Sequence, residues 1–302
     1  MVNYLITGGA GFIGGHLVRR LLRDPAARGR FDYVALLAAD ASVPATVADP
    51  VGSTQVNLMA NLTLIEQLKA AGHPVRKLFF ASSAAVYGDL PGLPKREAAA
   101  VAPQSPYAVA KYAAERAVVT SELPAVCGRL FNVYGPAADG TLSGCGVVAT
   151  AARQLAAGLP FTVHGDGGQS RDFVAVSDVA AVIAGLLHGP AAGVVVNVGT
   201  GVATSLNQVL ALLAGRLNVP LRRLWGDPRA GDVAASQADV SAVAALGLTC
   251  PTALGTGLGV VARAAQRDAA AFLSRMPMSW QCGKIIKDSF HTDSLELGDA
   301  SF

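Results

Sequence analysis

The sequence predicts an α/β protein built on a doubly wound parallel sheet, and three observations support that fold class. Short apolar runs of strand length alternate with segments of helical periodicity through residues 2–131. A glycine-rich turn joins the first of these runs to a helix, and a pair of serines ends a later run. Strands that alternate with helices favour parallel pairing, with helices covering both faces of the sheet.

The first half of the chain holds the elements of this sheet. Residues 2–6 form the first apolar run, and the turn at 7–14 leads into a helix with apolar side chains on one side. Strands are predicted at 33–37, 77–81 and 125–131, and helices are predicted at 57–71 and 107–119.

The second half differs in texture. Glycine-rich loops there surround a predicted helix near 147–157 and a predicted strand near 160–164. Residues 194–198 fit a return to the main sheet, and residues 205–217 fit a further helix. We therefore expect a smaller α/β lobe after residue 132, with the chain crossing back to the main sheet at least once.

Composition argues against several classes of protein. The 302 residues are 52% hydrophobic and 15% charged, with a mean hydropathy of +0.41, which is too apolar for a disordered chain. The 24 basic and 21 acidic residues leave a net charge of +3 without a basic run, so we expect no nucleic-acid partner.

The sequence also predicts a cytoplasmic protein without a membrane span. Asp178, His188 and Pro190 interrupt the best candidate span, and the N-terminus lacks the basic region of a signal peptide. The 4 cysteines are widely spaced, with no CxxC pair or Cys/His cluster. We therefore expect reduced thiols and no metal site.

The turn after the first strand has the glycine spacing of a dinucleotide-binding loop. Gly8 permits a tight bend, Gly11 lets the backbone approach a pyrophosphate, and Gly14 lets the helix pack against the strand. The phosphate would then lie at a helix N-terminus, where unpaired N–H groups favour an anion. A tight turn without a ligand is the alternative. The position between a strand and a helix favours dinucleotide binding.

A second group of residues predicts proton chemistry. Tyr107 and Lys111 lie four residues apart on one predicted helix and share a face, so an ammonium beside the phenol would lower its pKa. Ser83 ends a strand at the sheet edge where open α/β folds bind ligands. Alone, the Tyr–Lys pair is usually a solvated helix face. After a glycine turn and a serine at a strand end, it indicates a catalytic group.

These motifs resemble the extended short-chain dehydrogenase/reductase superfamily, in its NAD-dependent epimerase/dehydratase branch of the UDP-glucose 4-epimerase type. The matching segments keep the family order over most of residues 2–271: TGGAGFIGGHL, LAADASVP, SSAAVYG, SPYAVAK, RLFNVYGP, GDGGQSRDFVAVSDV, NVGTG and RAGD. The resemblance implies a Rossmann domain that binds NAD over 1–131 and 173–200, and a nucleotide-sugar-binding lobe over 132–172 and 201–271. It also implies a homodimer.

The resemblance implies roles for individual residues. NAD would be held by Gly8, Gly11, Phe12, Ile13, Gly14, Leu37, Ala38, Ala39, Asn57, Lys111 and Phe131. The nucleotide-diphosphate sugar, a UDP-sugar first among the candidates, would be bound by Ser83, Asn132, Arg171, Arg229 and Asp232. Two guanidinium forks suit a diphosphate. For Arg171, an ion pair with Asp172 or Asp178 is the alternative.

The implied reaction is a redox-neutral epimerisation. Tyr107 would take a proton from the sugar C4 hydroxyl while hydride passes to NAD, and Ser83 would steady the carbonyl until the keto-sugar turns and hydride returns. Ala84 and Ala85 stand where the related 4,6-dehydratases carry Asp and Glu, which disfavours elimination. The alternatives are another nucleotide-sugar activity, such as a reductase or an atypical dehydratase, a non-catalytic sugar-nucleotide-binding protein, and a non-functional product.

Two segments depart from the family. The chain runs within about ten residues from the first helix to the strand at 33–37, so roughly 35–45 residues containing the second and third strands are absent. The first strand would then be a sheet edge, and a right-handed crossover would place the first helix on the opposite face. Otherwise the link is left-handed, or the helix lies over an exposed edge. We therefore expect weakened NAD affinity and marginal stability. Residues 272–302 resemble no family element and are expected to form a poorly packed tail.

Overall fold

In a computed structural model, the described part of the chain comprises residues 2–21, 31–70, 75–142, 146–228 and 232–274. Its strands are β1 (Tyr4–Thr7), β2 (Tyr33–Leu36), β3 (Lys77–Ser83), β4 (Ala125–Leu130), β5 (Asn132–Tyr134), β6 (Phe161–His164), β7 (Ser170–Ala175), β8 (Val194–Val198), β9 (Ala203–Ser205) and β10 (Arg223–Gly226). Its helices are α1 (Phe12–Leu21), α2 (Val43–Ala48), α3 (Pro50–Thr54), α4 (Ala60–Ala70), α5 (Pro106–Val119), α6 (Val147–Ala156), α7 (Val176–His188), α8 (Leu206–Leu217), α9 (Ser241–Ala245) and α10 (Leu254–Ser274). Of the described helices, none is long and apolar enough to cross a bilayer.

The main sheet has five strands in the order β1-β2-β3-β4-β8, and every neighbouring pair is parallel. Its strands are apolar on both faces because both faces are covered. Val34 and Leu78 point to one side, and Ala35 and Phe79 point to the other. The predicted fold class, an α/β protein with a parallel sheet, is confirmed.

The helices divide between the two faces of this sheet. Ile65 of α4 and Val118 of α5 pack into the core on one face, whereas Leu17 of α1 and Ile183 of α7 pack into the core on the other. The steps from β1 to β2 and from β2 to β3 run in the same direction across the sheet. Because α1 and α4 lie on opposite faces, these two crossovers have opposite hands.

The first strand lies at the end of the sheet, as the sequence predicts. Among the described strands, only β2 pairs with β1. The first helix has not moved to the face that a right-handed crossover would require, because it packs against α7. Helix α1 therefore lies on the same face as α7, and the crossover from β1 to β2 has the opposite hand to the crossover from β2 to β3.

A further hydrophobic core lies among the elements that follow β4. It includes Leu155, Phe161, Leu210 and Val261, contributed by α6, β6, α8 and α10. Two small sheets border it: β6 pairs in parallel with β10, and β7 lies between parallel β5 and antiparallel β9. Helix α10 continues to Ser274, so the first residues of the expected tail are helical. The rest of that tail lies outside the described residues.

Candidate active site

The glycine turn is closed by the backbone alone. Gly8 has a φ of +69°, and its carbonyl oxygen accepts a hydrogen bond of 2.8 Å from the amide of Gly11. A Cβ added at Gly14 would lie 2.1 Å from the same carbonyl oxygen. Side chains at these positions would therefore push the turn away from the first residues of α1, where free amides can meet a phosphate. This cradle fits a pyrophosphate.

The segment after β2 packs against this turn. The Thr7 hydroxyl oxygen accepts hydrogen bonds from the amides of Leu37 at 3.1 Å and Ala38 at 3.3 Å. A Cβ at Gly8 would lie 2.9 Å from the Ala38 nitrogen. The carboxyl ends of β1 and β2 thus form one surface, on which Ala39 follows Ala38.

Asn57 is fully buried, and the chain itself uses its amide group. Its Oδ1 accepts from the amide of Asp40 at 3.0 Å, and its Nδ2 donates to the Asp40 carbonyl at 3.0 Å and to Ser53 Oγ at 3.1 Å. These bonds fix the segment after Ala39. In the described chain, Asn57 therefore fixes the loop that follows β2. Its contact with NAD stays a prediction.

The structure brings Ser83, Tyr107 and Lys111 together. Ser83 is the last residue of β3, and Tyr107 is the second residue of α5, whose first turn is capped by the Ser105 side chain. Lys111 follows one turn later, buried, with its Nζ donating to the Ala81 carbonyl at 2.9 Å. Its Nζ lies 6.0 Å from the centre of the Tyr107 ring.

Burial sets the charges of this group. It lowers the pKa of Lys111 to about 8 and raises the pKa of Tyr107 above its ordinary value, while a hydrogen bond from Ser83 lowers it in part. The expectation that Lys111 lowers the pKa of Tyr107 is therefore wrong for the chain by itself. The ammonium is turned towards the Ala81 carbonyl, and desolvation of the buried phenol is the largest influence on its pKa.

Phe131 and Asn132 lie where β4 passes into β5. The Phe131 ring is buried, with its centre 6.4 Å from that of Tyr87. Asn132 is partly buried and pairs with Phe173 in the small sheet. Phe131 belongs to a small cluster with Val86, Tyr87 and Ala238. The contacts of Phe131 with the nicotinamide and of Asn132 with the sugar nucleotide stay predictions.

Arg171 forms an ion pair that the sequence did not predict. Its Nη2 lies 2.5 Å from Asp232 Oδ1, and its Nη1 donates to the Ser170 carbonyl at 2.9 Å. The alternatives with Asp172 and Asp178 are wrong, because these carboxylates accept hydrogen bonds from other groups. Arg171 and Asp232, both expected at the diphosphate, thus lie side by side. Arg229 lies outside the described residues.

Sequence reasoning missed a buried ion pair between Glu115 of α5 and Arg129 of β4. The available signal was a glutamate one turn after Lys111 on an alanine-rich helix, and an arginine within an apolar strand. Such charges are rarely buried unless they are paired.

Comparison with known proteins gives a consistent result. The model of the NAD dependent epimerase/dehydratase family matches residues 22–199, a range that begins after the glycine turn. A UDP-glucose 4-epimerase of Mycolicibacterium smegmatis is 35% identical over 284 residues, which cover 78% of this chain and 89% of that protein. A GDP-6-deoxy-D-mannose reductase of Pseudomonas aeruginosa is 33% identical over 249 residues, which cover 72% of this chain and 80% of that protein.

Solved structures agree with these relatives. The UDP-glucose 4-epimerase of Thermotoga maritima, determined with UDP-glucose, has a TM-score of 0.81 at 29% identity and covers 88% of this chain and 99% of that chain. The Thermus thermophilus UDP-glucose 4-epimerase in complex with NAD has a TM-score of 0.77 at 31% identity, with the same coverage of 88% and 99%.

Proposed function

The chain belongs to the NAD-dependent epimerase/dehydratase family, and we propose that it epimerises C4 of a nucleotide-diphosphate sugar, with a UDP-sugar as the first candidate. The observation that carries this proposal is the convergence of Ser83, Tyr107 and Lys111 at the carboxyl end of β3. Ala84 and Ala85 follow Ser83 and offer no acid or base for the elimination of water. Epimerases among the relatives support this assignment.

The residues of the chain fit two parts of NAD. The glycine cradle at the start of α1 suits the pyrophosphate, and the surface formed by Leu37–Ala39 suits the nicotinamide half. When bound, NAD would supply a hydride acceptor and a positively charged ring. Such a charge in the site would favour the phenolate of Tyr107, which burial alone disfavours.

The chain's own groups then have distinct tasks. Tyr107 takes the proton of the C4 hydroxyl, and Ser83 holds the same oxygen as it becomes a carbonyl. Lys111 would hold the nicotinamide ribose, as the resemblance implies, and its ammonium would favour the phenolate once NAD is bound. Arg171, together with Arg229, binds the diphosphate, so that the keto-sugar can turn while its nucleotide stays fixed.

We infer that the adenosine side of the cofactor site is reduced. The alignment with the Mycolicibacterium relative extends over 284 residues, more than the 78% of this chain that it covers, so several dozen of its positions face no residue here. That agrees with a missing segment between α1 and β2. We expect the Kd for NAD to be well above that of the intact Thermus relative in the same calorimetric titration. An equal Kd would refute this expectation.

One experiment tests the proposed reaction. The purified protein is examined for NAD released on denaturation and then incubated with UDP-glucose or UDP-galactose under excess NAD, with chromatography to detect the other epimer. Tyr107→Phe should abolish turnover and leave sugar-nucleotide binding unchanged. Tyr112→Phe, on the same helix and partly buried, is the matched control and should retain turnover.

The outcomes separate the alternatives. Unchanged turnover in Tyr107→Phe would exclude this residue as the base. Bound NAD without epimerisation would favour a reductase, an activity supported by the 33% identical Pseudomonas relative. Sugar-nucleotide binding without NAD would favour a non-catalytic protein.

We also propose that two copies associate through the outer side of α3 and α5. Val51 and Val109 are 68% and 54% exposed there, on helices that contact each other. Sedimentation equilibrium should report a dimer that Val109→Glu weakens. Val202→Glu, at a valine exposed elsewhere, should leave it intact.

A further inference from the structure

One buried ion pair has no part in the reaction proposed above. Glu115 is fully buried and Arg129 is 5% exposed. The Glu115 carboxylate accepts from Arg129 Nη2 at 2.7 Å and from Arg129 Nε at 3.0 Å. It also accepts from Ser82 Oγ at 2.6 Å. Among the ion pairs of the described residues, this is the one with both side chains buried.

The pair belongs to a set of polar contacts between α5 and β3. Tyr107, Lys111 and Glu115 lie at intervals of four residues on one face of α5. Each contacts one residue at the end of β3: Glu115 accepts from Ser82, Lys111 donates to the Ala81 carbonyl, and Tyr107 interacts with Ser83. The last of these three contacts joins the two hydroxyl groups of the candidate active site.

Arg129 connects this set of polar contacts to the rest of the sheet. Its Nη1 donates to the Glu97 carbonyl at 3.0 Å, and its guanidinium lies 4.8 Å from the centre of the Tyr87 ring. The Tyr87 hydroxyl donates to Asn197 Oδ1 at 2.7 Å, which reaches β8. The ion pair is therefore held from both sides.

We infer that Glu115 and Arg129 are positioning residues, whose ion pair sets the placement of Tyr107 and Lys111 against Ser83. Apolar side chains would hold α5 on the sheet without desolvating two charges, and buried pairs often add little stability. A bidentate arginine–carboxylate pair fixes orientation, which apolar packing does not. Proton transfer from the C4 hydroxyl needs that orientation, so this inference rests on the proposed function.

The experiment compares Ser82→Ala and Glu115→Gln with wild type. We expect each variant to lower kcat, by about tenfold or more for Glu115→Gln, and to leave KM for the sugar nucleotide nearly unchanged. Asp178→Asn is the matched control. Asp178 is also a buried carboxylate, but it belongs to α7, on the opposite face of the sheet, where it accepts hydrogen bonds from Thr252. The Asp178→Asn variant should have a lower melting temperature but an unchanged kcat at temperatures where the protein is folded.

A second readout does not need turnover. Titration of Tyr107, taken from phenolate absorbance after subtraction of the Tyr107→Phe spectrum, should give a higher pKa in Ser82→Ala, because the phenolate loses part of its bond from Ser83. Ser82→Ala changes no net charge, so a raised pKa of Tyr107 would not come from an altered charge in its surroundings. A wild-type protein without turnover would count against the proposed function only, and this titration would still decide the positioning.

Two results would overturn the inference. One is a folded Ser82→Ala variant with wild-type kcat and an unshifted Tyr107 titration. The other is a loss of kcat in Asp178→Asn equal to that in Glu115→Gln at the same folded fraction. If Glu115→Gln does not fold, Ser82→Ala carries the test alone.

Discussion

Replacement of Gly14 by alanine tests the glycine cradle directly. The added Cβ would lie 2.1 Å from the Gly8 oxygen and 2.9 Å from the Gly9 Cα. Both are backbone atoms, so the turn itself must move. Such overpacking costs about 1–3 kcal/mol, and the better helix propensity of alanine returns up to ~1 kcal/mol. We expect a net loss of about 1–2 kcal/mol in the free energy of unfolding, measured by urea denaturation.

The same displacement should weaken cofactor binding. The amides that face the pyrophosphate belong to the displaced turn, and a loss of ~1.4 kcal/mol in their contacts raises Kd for NAD about tenfold. Gly215→Ala is the control, because an added Cβ in α8 meets no atom within 4 Å. It should raise stability by about 0.5–1 kcal/mol and leave NAD binding unchanged. A Gly14→Ala protein with wild-type stability and wild-type Kd would refute the reasoning.

Two further substitutions test buried charges. Burial lowers the pKa of Lys111 from 10.5 to about 8, so the unfolded chain binds more protons between these pH values, and stability should rise with pH across that window. Lys111→Met should abolish this rise in urea melts and, below pH 8, add about 3 kcal/mol of stability while removing turnover. Asp172→Asn should cost about 2–4 kcal/mol, read as a lower melting temperature, because its carboxylate accepts backbone N–H groups of Thr200, Gly201 and Ala238 that an amide nitrogen would oppose.

The features that could be predicted from the sequence are local. The parallel sheet was predictable because each strand is short and apolar on both faces, as in Val34–Leu36 and Leu78–Phe80. The meeting of Ser83 and Tyr107 was predictable because one ends a strand and the other begins a helix, and both places lie at the carboxyl edge of the sheet.

The features that could not be predicted depend on distant residues or on burial. Arg171 pairs with Asp232, which lies 61 positions further along the chain, and neither neighbouring carboxylate is free to compete. The four-residue spacing of Tyr107 and Lys111 is visible in the sequence. The desolvation that raises the pKa of Tyr107 arises only when the helix packs against β3, so the spacing of residues in the sequence does not predict it.

The position of α1 explains how the glycine cradle lies beside β2 in a sheet that has β1 at its end. The apolar side of an amphipathic helix must pack against another element, and the sequence does not predict which element that is. In the structure, Leu17 shares a core with Ile183 of α7 and Phe79 of β3, so α1 is held on the face of α7 whatever follows it. The crossover to β2 then takes the opposite hand, and β1 keeps its register beside β2. The glycine cradle consequently stays next to Leu37 and Ala38. We therefore expect the departure from the family between α1 and β2 to lower the affinity for NAD and to leave the arrangement of the reacting groups unchanged.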